Sequence, residues 1–194
     1  MTTTVLLARH GETDWNRAGR FQGHADPPLN ERGHEQAREL AEALSTQPIA
    51  AVYASDLRRA AETARIVADR LALPLSLRRE LREVDVGEFT GLTRAEIDAR
   101  WPEAQRRYEE RGYGWVDGET LDAMSTRAHA ALLEIARAHP DQTVLVVGHG
   151  GTVRAMLALV DGMDVVSHRR VVDPAGNGSW VGIGIRDGEL MRLD

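Results

Sequence analysis

Short apolar runs recur along the chain, and each is followed by a polar stretch that contains glycine or charged residues. The runs at 4–8, 50–54 and 143–147 have the length of a strand, and the last is the most apolar. Runs of this length between polar stretches are typical of buried strands that open into loops. We therefore predict three buried strands, with a further strand over 74–77.

Helical periodicity fills most of the intervals between these runs. Apolar residues there repeat at every third or fourth position, as on the buried face of a helix. Asn30 is a residue type preferred as a helix cap, and Pro102 interrupts the pattern that contains it. The predicted helices run from Asn30 to about Ser45, from near Ser55 or Asp56 to Leu71, from Thr93 to about Glu110 with a break at Pro102, from Leu121 to about His139, and onward from about Thr152.

The last part of the chain has the pattern of a β-hairpin. Residues 179–185 and 189–193 flank Asp187-Gly188, a dipeptide typical of a two-residue turn. Because strands alternate with helices before this hairpin, we predict an α/β layered fold with a mainly parallel sheet and an antiparallel edge. The 194 residues fit one domain, 1–194, since no repeat or linker divides them.

Composition excludes several classes of chemistry. The chain is 42% hydrophobic and 28% charged, as globular domains are, and it contains no cysteine. Disulfides, thiolate zinc sites and cysteine nucleophiles are therefore excluded. The chain also contains no lysine, which excludes a Walker-type lysine and a lysine Schiff base.

The charge and the apolar runs indicate which partners to expect. A formal net charge of -6 argues against binding to nucleic acid or to an anionic membrane, because both interactions rest on a positive surface. No apolar run is long enough to span a bilayer. Met1 is followed by threonines rather than by a basic signal-peptide region, so we expect a cytoplasmic protein.

Histidines and arginines follow three of the predicted strands at the point where each strand ends. The first strand runs into Arg9-His10, the second leads to Arg58-Arg59, and the most apolar one runs into Gly148-His149. Ligands bind beyond the carboxyl ends of the strands in folds of this class. A single histidine in such a position most often bonds a loop carbonyl, but two histidines and two arginines at corresponding ends favour a functional site.

Motifs along nearly the whole chain resemble the histidine phosphatase, or phosphoglycerate-mutase-like, superfamily. The resemblance implies a three-layer α/β/α sandwich and a phosphatase that acts on a small phosphorylated substrate, without a metal or a cofactor. Relatives are commonly dimers, so a homodimer is an expected state. The motifs are RHGET at 9–13, WNRAGRFQGHADPPLNERG at 15–33, SDLRRAAETA at 55–64, LREVDVGEFTG at 81–91 and VVGHGGTVR at 146–154.

The resemblance also implies the roles of individual residues. His10 is the expected nucleophile that becomes phosphohistidine, and Arg9 and Arg59 are expected to bind the phosphoryl oxygens. His149 completes the pocket, and Glu83 matches the proton donor of the family. The further expected substrate contacts are Asn16, Gln22, Gly23 and Gly150.

The chemistry of phosphoryl transfer favours these assignments. Charge spreads over three phosphoryl oxygens in the transition state, and the planar guanidinium of arginine binds two oxygens at once. A neutral imidazole attacks through one nitrogen when a carbonyl holds the proton on the other, and the Gly11 carbonyl is the expected holder. The leaving alkoxide needs a proton from a carboxylic acid, for which Glu83 is preferred and Asp85 is the alternative.

Three other functions remain alternatives at this point. A phosphoglycerate mutase has the same site, although the short interval 84–148 and the ending just after the hairpin favour hydrolysis. A metal-dependent hydrolase would use His10, His149, Glu83 and Asp85 as ligands, but no metal-binding motif accompanies them. A phosphate-binding module without turnover is the third. The segment 93–118 is predicted to cover the site and to select the substrate.

Overall fold

The computed structural model describes residues 1–171 and 176–193, which form one sheet flanked by helices. The strands are β1 (Thr2–Arg9), β2 (Ile49–Ser55), β3 (Leu75–Arg78), β4 (Thr143–Gly148), β5 (Trp180–Arg186) and β6 (Glu189–Arg192). The helices are α1 (Asp14–Arg17), α2 (Glu31–Ala43), α3 (Arg58–Leu71), α4 (Arg94–Arg100), α5 (Ala104–Arg111), α6 (Leu121–Ala138), α7 (Gly150–Val160) and α8 (Val165–Val171). No helix among these residues is long and apolar enough to cross a membrane.

The sheet has the order β3-β2-β4-β1-β5-β6. The pairs β1 with β4, β2 with β4 and β2 with β3 are parallel, whereas β5 is antiparallel to both of its neighbours. The prediction of a mainly parallel sheet with an antiparallel edge is confirmed. Asp187 and Gly188 join β5 to β6 with φ values of 55° and 88°, as a two-residue turn of the predicted kind requires.

The central strands β1 and β4 bury both of their faces, as parallel strands between two layers of helices do. In β1, Leu6 packs into the apolar cluster that α2 and α3 form on one face of the sheet. Leu7 packs into the larger cluster on the other face, with residues of α6 and α7. Successive side chains of β1 therefore pack into apolar cores on opposite faces of the sheet, and the expected three-layer sandwich is present.

Some boundaries differ from the sequence prediction. Helix α7 begins at Gly150 rather than near Thr152, because the first turn is built from glycines that carry no helical signal. Leu57 is the N-cap of α3 and makes no side-chain capping bond, whereas Asp56 forms an ion pair with Arg82. Helices α1 and α8 were not predicted, since four and seven residues are too short for a periodic pattern.

Candidate active site

The carboxyl ends of β1, β4 and β2 lie side by side and open into one cavity of about 230 Å³. The sheet register places Arg9 opposite Gly148, so the residues that follow these two strands enter the cavity together. The predicted site residues that line it are Arg9, His10, Asn16, Gln22, Gly23, Arg59, Glu83 and Gly150. His149 is buried behind this surface, with its ring centroid 5.2 Å from that of His10.

His10 is held in one orientation by its own loop. Its Nδ1 donates to the carbonyl oxygen of Gly11 at 2.6 Å, as the sequence predicted, so Nε2 carries the lone pair. Burial lowers the pKa of His10 well below its ordinary value, and the positive charges of Arg59 and Arg9 add to this effect. His10 is therefore a neutral imidazole with one nitrogen available for attack.

His149 is fully buried, and neither of its ring nitrogens has a hydrogen-bond partner among the residues that the structure describes. Burial again lowers the pKa well below its ordinary value, with Arg59 and His10 as the next causes. A buried polar group without a partner is costly, on the order of 1–3 kcal/mol. A ligand oxygen at the neighbouring cavity would supply that partner.

Arg59 lies in the first turn of α3, and only 1% of the residue is exposed. Its NH1 donates to the carbonyl of Ala25 at 2.7 Å and its NH2 to the carbonyl of Gly23 at 2.9 Å. Its buried Nε has no hydrogen-bond partner among the described residues. Burial lowers the pKa of Arg59 to about 10, so the side chain stays cationic at neutral pH.

The neighbouring arginines differ from Arg59 in their surroundings. Arg58 is exposed and pairs with Glu62 at 2.6 Å, which supports the choice of Arg59 over Arg58 as the phosphate-side residue. Arg9 lines the cavity, and burial lowers its pKa while the charge of Glu83 acts in the opposite direction. The cavity floor thus combines two cations with two neutral imidazoles.

Glu83 lies at the cavity wall with its carboxylate fixed by backbone donors. Oε2 accepts from the N–H of Gly151 at 3.0 Å, and Oε1 accepts from the N–H of Val84 at 3.0 Å. Asp85 does not line the cavity, since its Oδ1 accepts from Gly87 at 3.0 Å and its Oδ2 lies 3.8 Å from His24. This placement favours Glu83 over Asp85 as the acid.

The loop after β1 is ordered by its own polar side chains. Asn16 Oδ1 accepts from both the backbone N–H and the hydroxyl of Thr13, and that hydroxyl also lies 3.2 Å from the amide oxygen of Gln22. Gly23 has a φ of 48°, a backbone conformation that favours glycine. Asn16, Gln22 and Gly23 therefore reach the cavity from one connected loop.

Several other charged or titratable residues near the cavity are bonded to neighbouring loops. Asp14 pairs with Arg17 at 2.9 Å, and Glu12 accepts from the side-chain amide of Asn30 at 2.8 Å. Glu88 accepts the backbone N–H of Val116 at 2.9 Å. His24 bonds the carbonyl of Glu83 and does not line the cavity.

The sequence did not indicate several residues that line the cavity. Two of them are the cations Arg20 and Arg154, and Arg20 forms an ion pair with Glu96 at 2.9 Å. Asn177, just before β5, donates to the carbonyl of His10 at 2.9 Å and so joins the C-terminal segment to the site. No motif contained Asn177. The apolar lining consists of Phe21, Val84, Val86, Trp115, Leu121 and Val165.

The segment 93–118 supplies one residue to the cavity, Trp115. Trp101 and Tyr113 instead pack in an aromatic cluster around Phe89 and Trp115, with ring centroids 5.0 to 6.2 Å apart. Among residues 1–171 and 176–193, no group of three or more histidine, aspartate or glutamate side chains is placed to hold a metal ion.

Comparison with known proteins gives matches along almost the whole chain. The family model of the histidine phosphatase superfamily (branch 1) matches residues 5–192. The chain is 40% identical over 164 residues to the metal-independent phosphoserine phosphatase of Arabidopsis thaliana, which covers 79% of this chain and 67% of that relative. It is 33% identical over 186 residues to the glucosyl-3-phosphoglycerate phosphatase of Mycolicibacterium vanbaalenii, covering 91% of this chain and 82% of the relative.

The same likeness holds in three dimensions. The solved structure of Bacillus stearothermophilus YhfR superposes with a TM-score of 0.91 at 32% identity, covering 98% of this chain and 95% of that one. The matched range 5–192 contains every residue that lines the cavity. The resemblance seen in the sequence motifs is therefore confirmed, and the chain belongs to the histidine phosphatase superfamily, branch 1.

Proposed function

We propose that this phosphatase hydrolyses small phosphate monoesters in two steps, with His10 as the nucleophile. The observation that carries the proposal is the geometry of His10 itself, a buried imidazole with Nδ1 bonded to the Gly11 carbonyl and two arginines beside it. A neutral imidazole with a fixed tautomer is the form that attacks phosphorus. The roles of the other site residues are assigned from where charge develops during the reaction.

In the first step, Nε2 of His10 forms a bond to phosphorus while the bond from phosphorus to the ester oxygen breaks. Arg9 and Arg59 bind the equatorial oxygens, and His149 donates to one of them from its buried position. Preorganised donors of this kind supply most of the catalysis in phosphoryl transfer. Glu83, protonated before the step, gives its proton to the leaving oxygen.

In the second step, water attacks the phosphorus of phosphohistidine. Glu83, now a carboxylate, takes a proton from that water, the bond between phosphorus and Nε2 breaks, and inorganic phosphate leaves. The same carboxyl therefore acts as acid and then as base, which its place at the cavity wall allows. Asn16, Gln22, Gly23 and Gly150 contact the substrate or the phosphoryl group from the cavity rim.

The covalent intermediate tests the proposal directly. Rapid mixing with a phosphorus-labelled substrate is expected to label the protein with an acid-labile, base-stable phosphoryl group, since phosphoramidates hydrolyse in acid. His10→Ala should abolish both labelling and turnover. Labelling that persists in His10→Ala would refute the mechanism, and transfer of label to a second hydroxyl of the product would favour a mutase over a phosphatase.

The apolar and the cationic residues of the lining support a proposal about what the substrate carries beyond its phosphate. The apolar wall of the cavity, which includes Trp115 and Phe21, suits a compact organic part, and Arg20 and Arg154 suit a further polar or anionic group. We propose that 93–118 takes part in substrate selection through Trp115. Turnover of a panel that includes phosphoserine, phosphoglycerates, sugar phosphates and nucleotide monophosphates, compared between wild type and Trp115→Ala, tests this choice.

Two expectations from the sequence concern the protein in the cell. We propose a cytoplasmic location and a homodimeric state, the second because relatives are commonly dimers. Cell fractionation checks the location. Sedimentation velocity over a range of protein concentrations checks the oligomeric state, and a single monomeric species at all concentrations would exclude the dimer.

A further inference from the structure

The segment that carries Glu83 has little regular structure of its own. Between β3 and α4 it contains only two short 3-10 turns, Arg79–Leu81 and Gly87–Phe89. We call residues 79–87 the acid loop. An irregular segment keeps a carboxylate in place only when other elements hold its backbone, because it makes few internal hydrogen bonds.

One side chain of α6 supplies much of that support. Arg127 NH1 donates to the carbonyls of Glu80 and Arg82, both at 2.7 Å, and its NH2 donates to the carbonyl of Glu83 at 2.9 Å. Three backbone carbonyls of the acid loop therefore converge on one guanidinium. The third of them belongs to the residue that bears the proposed acid.

The remaining donors of Arg127 are used by Glu119. Nε donates to Oε1 at 2.7 Å and NH2 donates to Oε2 at 2.6 Å, a bidentate pair whose side chains are 23% and 19% exposed. A guanidinium has five N–H donors, and here all five have an acceptor. The orientation of Arg127 is thus fixed from both sides.

Glu119 extends the network to the substrate side of the cavity. Its backbone N–H donates to the carbonyl of Asp85 at 2.8 Å, and its carbonyl accepts from the indole N–H of Trp115 at 2.8 Å. Trp115 lines the cavity, and Arg127 does not. One network therefore holds both the acid loop and the wall that faces the organic part of the substrate.

We propose that Arg127, anchored by Glu119, is a positioning residue that sets the place of the Glu83 carboxyl relative to the leaving oxygen. This inference rests on the proposed role of Glu83. Arg127 is not among the residues that line the cavity, so we expect its removal to leave the binding of phosphoryl oxygens by Arg9 and Arg59 unchanged. Proton transfer from Glu83 should suffer most, since a misplacement of about 1 Å costs on the order of a hundredfold in rate. The charge of Arg127 also contributes, after burial, Arg59 and His10, to the lowered pKa of His149, and the loss of that contribution acts on both kinds of ester alike.

A second ion pair holds the acid loop at another point, so Arg127 is not the only residue that keeps this loop in place. Arg82 binds Asp56 in a bidentate pair at 2.7 and 2.6 Å, which ties the loop to the turn before α3. That pair holds the loop as a whole close to the sheet. The Glu83 carbonyl, in contrast, is bonded by Arg127 and by His24.

The test uses leaving groups of different basicity in single-turnover phosphorylation of His10. For Arg127→Met we expect a fall of about a hundredfold with an alkyl phosphate, and a change of less than about threefold with p-nitrophenyl phosphate, whose leaving group needs little protonation. Arg127→Lys should lie between Arg127→Met and wild type, since it keeps the charge but not the planar fork. Arg137→Met, an exposed arginine on the same helix, is the matched control and should behave as wild type.

The double variant Arg127→Met with Glu83→Gln makes the test specific. If Arg127 acts through Glu83, adding Arg127→Met to Glu83→Gln produces little further loss with the alkyl ester. The proposal would be overturned if the effects of the two substitutions on the phosphorylation rate were fully additive. It would also be overturned if Arg127→Met and Arg127→Lys slowed phosphorylation equally with both esters. Failure of the proposed function is seen separately, because Glu83→Gln alone would then show no dependence on the leaving group.

Discussion

Two buried histidines lie next to each other at the base of the cavity, with their rings tilted by 60°, and the proposed mechanism uses both in the neutral form. His10 and His149 are both enclosed, and burial together with the charge of Arg59 lowers both pKa values well below the ordinary range. The sequence predicted these residues because each follows a strand within a family motif. It did not indicate Arg127 or Asn177, because each bonds a backbone carbonyl far away in sequence. The Glu83 carbonyl is 44 positions from Arg127, and the His10 carbonyl is 167 positions from Asn177.

The buried histidines are expected to make the folded state less stable in acid. The unfolded chain protonates each histidine near its ordinary pKa of about 6.5, whereas the folded chain does not, so the free energy of unfolding falls as pH drops below that value. The slope is at most about 1.4 kcal/mol per pH unit for each histidine. Urea unfolding measures this pH dependence for wild type, His10→Gln and His149→Gln. The two ends of the range, pH 7.5 and pH 5, lie about one unit or more on either side of 6.5. Parallel curves for wild type and both variants would contradict the prediction.

Gly151 allows the close approach of Glu83 to the start of α7. A Cβ at this position would overlap Oε1 of Glu83, so Gly151→Ala should displace the carboxylate. We expect a loss of about a hundredfold with alkyl phosphates, with little change in phosphorylation by p-nitrophenyl phosphate. Stopped-flow measurements of both esters check this. Gly176→Ala is the control, since no described atom lies within 4 Å of a Cβ there, and an equal loss in that variant would remove the explanation.

At the scale of elements, the loop that carries His10 packs directly on the backbone of α2. Gly33 lies in the first turn of α2, and a Cβ there would overlap the carbonyl oxygen of Glu12, while a Cβ on Gly11 would overlap the carbonyl of Gly33. The periodic pattern predicted α2 and its Asn30 cap, because both are local features. It could not predict this contact, since a close approach between backbones leaves no sign other than the glycines.

The contact between Gly33 and the His10 loop is expected to matter for stability and for catalysis. Alanine favours a helix over glycine by about 1 kcal/mol, but here the overlap involves backbone atoms and should dominate. We expect Gly33→Ala to lower the free energy of unfolding by about 1–3 kcal/mol. Phosphorylation of His10 should slow for alkyl and p-nitrophenyl esters alike, because the nucleophile itself shifts. Arg38→Ala, at an exposed position of α2, should change stability by less than about 0.5 kcal/mol.

At the scale of the whole molecule, the charge of the protein and the charge of its cavity have opposite signs. The chain has a formal net charge of -6, yet four arginines line the cavity and Glu83 is the carboxylate among the lining residues. The order of strands and helices predicted the layers and the edge that carries the site. The extent of the cavity was not predictable, since its apolar wall joins residues from 21 to 165 that no local pattern connects.

The cationic cavity leads to a prediction about metals. Four arginines repel a divalent cation and supply the positive charge that a metal would bring to a phosphoryl group, so activity should not depend on one. We expect the initial rate with p-nitrophenyl phosphate to be the same before and after dialysis against a chelator. Metal analysis of the purified protein is the companion measurement. A rate that falls on dialysis and returns with a stoichiometric metal would reverse this conclusion.

The strand order also determines when β1 can pair with its neighbours during synthesis of the chain. β1 ends at Arg9, but its two neighbours in the sheet begin only at Thr143 and Trp180. On the ribosome, the segment with His10 therefore emerges long before either strand that flanks it, and pairings so distant in sequence form slowly. A chain that stops before β5 contains every residue that lines the cavity but lacks one of the two strands that flank β1, so we expect phosphatase activity only after β5 has paired with β1.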